Sequence, residues 1–138
     1  MEVKRINDQM SVSPQISVDD VAAIKAAGFA AIINNRPDGE VPDQPAGDAI
    51  RQAAEAAGLE YHYIPLGREG ISSDMVEKTK EALEGSAGPV FAYCRSGTRS
   101  TTLWALSQAG RMPASEIISA AANAGYDVSH LAGHLGQK

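Results

Sequence analysis

Two continuous apolar runs, at 29–33 and 89–93, constrain the fold most strongly. Each has the length of a strand, and Tyr93 carries the one polar side-chain group in them. A strand that is apolar on both faces is typical of a parallel sheet covered by helices on both sides. Between the runs, glycine, proline and serine mark the expected turns and the ends of helices and strands. The pattern predicts a single α/β domain over 1–138, with a mainly parallel central sheet and helices on both faces.

These turn residues, together with the spacing of the apolar residues, predict the remaining strands and helices. Further strands are expected at 3–6, 10–13 and 60–66. Helices are expected at 18–27, at 47–57, at 73–84, after the cysteine loop from residue 99 onward, at 114–124 and at 128–135. His130 and His134 are four residues apart on the last predicted helix, which is half of a metal site with nothing nearby to complete it. We therefore expect no metal and no cofactor.

Charge and composition exclude several function classes. The net charge of -5 argues against nucleic-acid binding and against adhesion to anionic membranes, which both need a basic face. No apolar run approaches the roughly 18 residues of a membrane span, and the first residues do not resemble a signal peptide. A lone cysteine cannot form an internal disulfide, so we expect a cytoplasmic protein.

Cys94 follows the second apolar run and begins the segment Cys-Arg-Ser-Gly-Thr-Arg-Ser at 94–100. Ligands of parallel sheets bind beyond the carboxyl ends of the strands, and backbone N–H groups at a helix start form an anion site there. Gly97 permits the tight curvature that such a loop needs. Positive charge near a thiol favours the thiolate, so Cys94 is the predicted nucleophile.

The other residues of this segment receive predicted roles from their chemistry. Arg99 joins Cys94 as a catalytic residue because a guanidinium binds two oxygens of a tetrahedral anion. Arg36, on the turn after the first run, either borders the pocket, braces the loop through an acid, or belongs to an ordinary turn. The predicted anion-binding residues are Arg95, Ser96, Gly97, Thr98 and Ser100.

The segment 93–100 resembles the active-site loops of two groups of cysteine enzymes. Tyrosine and dual-specificity phosphatases carry Cys-x-x-Gly-x-x-Arg-Ser/Thr, whereas rhodanese-type sulfurtransferases often carry the shorter Cys-x-x-Gly-x-Arg-Ser found here. Through 11–15, 33–40 and this loop, nearly the whole chain also resembles the phosphatase-like domain of the beta-lactamase-hydrolase-like proteins. That resemblance implies a cysteine-phosphatase-like fold. It also implies a metallo-hydrolase or persulfide dioxygenase as the partner.

The reaction depends on whether a general acid is present. The resemblance to phosphatases implies an aspartate roughly thirty residues before the cysteine, but 61–70 holds none, and Glu69 is the nearest candidate acid. A poorly placed acid costs on the order of 10²- to 10⁴-fold, whereas release of sulfite needs no proton. This favours a persulfide sulfurtransferase that uses thiosulfate or a persulfide. A phosphatase acting on phosphate esters is the alternative, and a non-catalytic anion-binding or redox-sensing module is the third hypothesis.

Overall fold

A computed structural model of the chain describes residues 1–135, which form a sheet with helices on both faces. The strand order in this part of the chain is β1-β2-β5-β3-β4, with β1 antiparallel to β2 and the other neighbours parallel. The predicted fold class is confirmed. The strands are β1 (Lys4–Arg5), β2 (Met10–Ser13), β3 (Ala31–Asn34), β4 (Glu60–Tyr63) and β5 (Val90–Tyr93).

The helices pack against the two faces of this sheet. Their bounds are α1 (Asp20–Ala26), α2 (Gly47–Ala56), α3 (Ser73–Gly85), α4 (Thr98–Ser107) and α5 (Ala114–Asn123). Ser72 caps α3 as its residue type predicts, because its hydroxyl accepts a hydrogen bond from the Met75 N–H at 3.2 Å. None of the helices within 1–135 has the length and hydrophobicity that a membrane span needs.

Alternation along the strands divides the apolar residues between two cores. Ile33 faces the core formed with α3, α4 and α5, where Trp104 and Ile117 are fully buried. Its neighbour Ile32 faces the opposite core, which Ile24 of α1 and Ile50 of α2 complete. Each fully buried large apolar side chain stabilises the fold by about 1.5–3 kcal/mol. The prediction of strands covered on both faces is therefore confirmed.

The helix predicted at 128–135 is instead a 3₁₀ helix, Ser129–His134. A 3₁₀ helix has about three residues per turn, so residues four apart point in different directions. The shared face that the sequence suggested for His130 and His134 is therefore absent. Among the described residues, no group of three or more His, Cys, Asp or Glu side chains is arranged to hold a metal ion.

The carboxyl ends of the three central strands meet at one edge of the sheet. Tyr93 at the end of β5 pairs with Ser13 of β2 on one side and Asn34 of β3 on the other. The pairing continues past the strands, because the Cys94 N–H donates to the Ser13 carbonyl at 3.3 Å and the Asn35 N–H donates to the Tyr93 carbonyl at 2.9 Å. The loops that follow β2, β3 and β5 therefore converge around Cys94.

Candidate active site at the Cys94 loop

Cys94 is fully buried at the end of β5. The Gly97 N–H donates a hydrogen bond to its sulfur, with a distance of 3.0 Å between nitrogen and Sγ. Gly97 has a φ of +94°, which side-chain-bearing residues rarely adopt, and it is the N-cap of α4. The sulfur thus lies at the positive end of a helix, in the strand-loop-helix arrangement that the sequence predicts.

Arg99 lies in the first turn of α4, and its guanidinium is held by groups from two other loops. Its Nη1 and Nη2 donate to the two carboxylate oxygens of Glu40 at 2.8 and 2.9 Å, and Nη1 also donates to the Leu66 carbonyl at 2.8 Å. The bond to Glu40 raises the pKa of Arg99, and an electrostatic interaction with Cys94 raises it further. Arg99 and Cys94 therefore lie close enough to interact.

Glu40 joins Arg99 to a second arginine. Arg36 Nε donates to Glu40 Oε1 at 2.9 Å, and Arg36 Nη1 donates to Gln15 Oε1 at 3.0 Å. The Arg36 side chain is only 5% exposed and that of Glu40 is 26% exposed, so this ion pair is partly withdrawn from solvent. Hydrogen bonds from Arg99 first, and then from Arg36, lower the pKa of Glu40 to about 2. Glu40 is consequently a carboxylate at every physiological pH.

The other predicted loop residues are dispersed. The side chains of Arg95, Ser96 and Thr98 lie at the surface, where Ser96 Oγ donates to Thr98 Oγ1 at 3.1 Å. The loop backbone is tied to the chain after β2, because the Gln15 N–H donates to the Arg95 carbonyl at 3.4 Å. Ser100 is fully buried, and its hydroxyl makes no hydrogen bond within the described part of the chain. The site thus brings together Cys94, Gly97 and Arg99, while the anion-binding roles of the other residues stay predictions.

Glu69, the candidate acid, lies on an exposed turn. The turn is closed by a hydrogen bond from the Gly70 N–H to the Gly67 carbonyl at 3.2 Å, and it begins one residue after Leu66. The Leu66 carbonyl binds Arg99, so the loop that carries Glu69 is anchored to the site. Asp74, by contrast, is in the first turn of α3 and forms an ion pair with Lys78.

Tyr126 also contacts the loop, although no motif in the sequence marks it as a site residue. Its hydroxyl donates to the Ser96 carbonyl at 2.9 Å. Burial raises the pKa of Tyr126, and an electrostatic interaction with Cys94 adds to that effect. Tyr126 follows α5, beyond any motif, and no spacing in the sequence connects it with residues thirty positions earlier.

Comparison with known sequences shows the family of the chain. A profile of the family described as "Beta-lactamase hydrolase-like protein, phosphatase-like domain" matches residues 2–111. The Beta-lactamase hydrolase-like protein of Agrobacterium fabrum is 37% identical over 130 residues, and that of Xylella fastidiosa Temecula1 is 35% identical over 130 residues. Each alignment covers 93% of this chain but 30% of the relative, so the chain spans under a third of the length of these curated relatives.

Solved structures show the same relationship at the level of the fold. A candidate phosphatase from Neisseria meningitidis is 34% identical, with a TM-score of 0.83 over 98% of this chain and 96% of that one. PTPMT1 is 14% identical, with a TM-score of 0.72 over 94% and 89% of the two chains, which shows the shared fold alone. These findings confirm the resemblance noted in the sequence. The chain belongs to the family of the phosphatase-like domain of Beta-lactamase hydrolase-like proteins, and its fold is that of the tyrosine-phosphatase-like cysteine phosphatases.

Proposed function

We propose that this domain is a phosphatase that uses Cys94 as its nucleophile and phosphate monoesters as its substrates. The family relationship and the 34% identical candidate phosphatase support this reaction, which the sequence analysis ranked second. They give no support to sulfur transfer, which the loop spacing and the missing aspartate favoured. The observation that carries the proposal is the Arg99 guanidinium, held beside Cys94 by Glu40 and Leu66.

The hydrogen bonds of Arg99 leave part of its guanidinium for a substrate. A guanidinium has five N–H donors, and here Nη1 uses two and Nη2 uses one on Glu40 and Leu66. The two others are the Nε–H and one Nη2–H, which lie along the same edge. Two parallel donors on one edge match two oxygens of a phosphate. Glu40 therefore orients Arg99 towards an anion without consuming its binding edge.

The short loop is compatible with a phosphate because α4 continues the anion site. The first N–H groups of any helix lack an intrahelical acceptor. In α4 the Thr101 N–H donates a helical hydrogen bond to the Gly97 carbonyl at 3.0 Å. The N–H groups of residues 98–100 come before it in the first turn, where helix N–H groups have no acceptor within the helix. These groups and the helix dipole attract an anion bound above Cys94. A loop one residue shorter thus keeps a source of N–H donors.

The proposed reaction has two steps. The Cys94 thiolate attacks phosphorus, the S–P bond forms as the ester P–O bond breaks, and the leaving oxygen takes a proton from an acid. Water then attacks phosphorus and gives a proton back to the conjugate base of that acid, the S–P bond breaks, and phosphate and the thiolate are released. Glu69 is the proposed acid because its loop is anchored to Arg99 through Leu66. General acid catalysis of this kind contributes about 10²- to 10⁴-fold.

The proposal also includes the cellular compartment and the partner of this domain. A catalytic thiol suits a reducing compartment such as the cytoplasm, where free thiols persist. The matched region is 30% of the length of the Agrobacterium fabrum relative, which leaves room for a further domain in that protein. A metallo-hydrolase or persulfide dioxygenase is the proposed partner, on the strength of the family resemblance.

Two assays on the same preparation separate the candidate reactions. The first measures p-nitrophenol release from p-nitrophenyl phosphate, and the second measures thiocyanate formation from thiosulfate and cyanide. We expect phosphate ester turnover that Cys94→Ser reduces by about 10⁴-fold or more. Arg99→Lys should reduce it too, whereas Arg111→Lys, which alters an exposed ion pair with Glu84, should not.

Each other outcome contradicts the proposal in its own way. Thiocyanate formation without phosphate ester turnover would establish sulfur transfer in its place. Tight binding of inorganic phosphate with neither turnover would establish the anion-binding module.

A further inference from the structure

We propose that Tyr126 is a positioning residue that directs a hydrogen bond onto the Cys94 sulfur through a single peptide group. The inference rests on the proposed function only in taking Cys94 as the nucleophile. It concerns a residue outside 2–111, the region that the family profile matches.

One planar peptide group connects the two residues. The Tyr126 hydroxyl donates to the Ser96 carbonyl at 2.9 Å, and the N–H of the same peptide, that of Gly97, donates to Cys94 Sγ at 3.0 Å. The C=O and N–H of a trans peptide are held in one plane and point in opposite directions. Any rotation that breaks the bond to Tyr126 therefore also turns the N–H away from the sulfur.

Packing at Gly97 restrains this peptide as well. A Cβ built on Gly97 would lie 2.2 Å from the Tyr126 Oη and 2.9 Å from its Cζ. The phenol end of Tyr126 thus occupies the space next to the Gly97 Cα. The phenol therefore packs against the loop on the side opposite the Cys94 sulfur. From there it opposes a movement of the Ser96–Gly97 peptide away from the sulfur.

The phenol also acts electrostatically. A carbonyl that accepts a hydrogen bond polarises its peptide and strengthens the N–H donor at the other end. Burial, and then an electrostatic interaction with Cys94, raise the pKa of Tyr126 above its ordinary value. The phenol consequently stays protonated, and remains a donor, at neutral pH, where the proposed nucleophile must be a thiolate.

The chain around Tyr126 holds it in place. The Tyr126 N–H donates to the Ala121 carbonyl at 2.9 Å, which fixes it to the end of α5. On its other side, Val128 and Leu135 are 2% and 0% exposed in the core that α4 and α5 share. The backbone of Tyr126 is therefore held between two packed segments. A residue that positions a loop needs such a rigid support.

Alkylation of Cys94 tests this role without any substrate. Iodoacetamide forms an S–C bond with the thiolate and releases iodide, and intact mass reports its rate. We expect Tyr126→Phe, which keeps the ring and removes the hydroxyl, to slow alkylation at pH 6 by about three- to tenfold. At pH 9, which is above the ordinary pKa of a cysteine thiol, the rate should equal that of the wild type. Tyr63→Phe, whose hydroxyl accepts from the Asp38 N–H at 3.1 Å, should match the wild type at both pH values.

Two results would overturn the inference. One is an unchanged alkylation rate at pH 6 in a folded Tyr126→Phe protein. The other is an equal slowing at pH 6 and pH 9, which would indicate a general disturbance of the loop. A pH-selective slowing in a protein that hydrolyses no phosphate ester would support the role of Tyr126 and reject the proposed phosphatase reaction.

A second measurement needs no substitution. In an NMR spectrum of the wild type, the Gly97 amide proton should shift by more than its neighbours when Cys94 is alkylated, because its acceptor changes. An unchanged Gly97 resonance would contradict the proposed hydrogen bond.

Discussion

Glu40 and Arg99 are 59 residues apart in the chain and are joined by two hydrogen bonds, of 2.8 and 2.9 Å. The pair connects the turn after β3 with the first turn of α4, and Arg36 extends it to Gln15. Two parallel bonds restrict rotation of the guanidinium. The edge that Arg99 presents to the site therefore depends on a carboxylate from another loop.

Replacement of that carboxylate should impair turnover of phosphate esters. In Glu40→Gln, the amide NH₂ faces an arginine donor, so one of the two bonds to Arg99 is lost and the charge with it. We expect kcat/KM for p-nitrophenyl phosphate to fall by about tenfold, which corresponds to one charge-assisted hydrogen bond. Glu55→Gln removes a comparable carboxylate from the exposed ion pair with Arg51 and serves as the control. Equal kinetics for the two variants would contradict an orienting role for Glu40.

The same substitution predicts a pH-dependent difference in stability. The pKa of Glu40 is lowered from 4.5 to about 2 by Arg99 and Arg36, so its stabilising contribution is present above the unfolded value and is lost as the pH falls towards 2. Glu40→Gln should lower the free energy of unfolding by about 1–2 kcal/mol at pH 7. In urea unfolding of both proteins, the difference should stay constant above about pH 5 and shrink below it. A difference that shrinks between pH 8 and pH 6 would point to another group.

Gly97→Ala should destabilise the protein more than Gly28→Ala. The two glycines have similar φ values, +94° and +99°, so the backbone cost of a side chain is alike, about 1–2 kcal/mol. At Gly28 an added Cβ meets nothing within 4 Å, whereas at Gly97 it overlaps Tyr126. We expect an additional loss of about 1–3 kcal/mol at Gly97, measured by urea unfolding. Equal losses would mean that Tyr126 moves aside freely.

Glu69→Gln should affect substrates according to their leaving group. Phenolate needs a proton as it departs, whereas p-nitrophenolate needs one far less. We therefore expect the hydrolysis of phenyl phosphate to slow by about 10²-fold and that of p-nitrophenyl phosphate to slow much less. Asp74→Asn, on the neighbouring helix, should leave both rates unchanged. Parallel kcat measurements on the two esters check this. If both esters slow equally, Glu69 is not the proton donor.

Local patterns predicted the sheet and the cysteine loop. Strand-length apolar runs place Ile32 and Ile33 in opposite cores because alternation along a strand is a property of the backbone itself. Cys94 and Gly97 could be placed for the same reason, since a strand end, a glycine and a helix start are neighbours in sequence. The error at Ser129–His134 also has a local cause, because a segment of six residues is too short for its spacing to separate an α-helix from the 3₁₀ helices that are common in short pieces.

Contacts between distant loops could not be predicted in this way. Nothing in the turn that carries Glu40 indicates that its carboxylate reaches Arg99, because that contact depends on β3 lying beside β5 in the sheet. Tyr126 reaches Ser96 through the packing of α5, which no periodicity encodes. Sulfur transfer was favoured by the absence of an aspartate in 61–70 and by the short loop. A count of loop residues omits the N–H groups of α4.

The contact between Gly97 and Tyr126 has an evolutionary consequence. With only 2.2 Å between the Tyr126 hydroxyl oxygen and the place where a Cβ would stand, the two positions cannot both carry a large group. Among relatives, a residue other than glycine at the position of Gly97 should be accompanied by one smaller than tyrosine at the position of Tyr126. Substitutions at these two positions should therefore have occurred together during evolution. The position of Gly97 lies in the most recognisable motif of the chain, whereas that of Tyr126 lies in its least distinctive stretch.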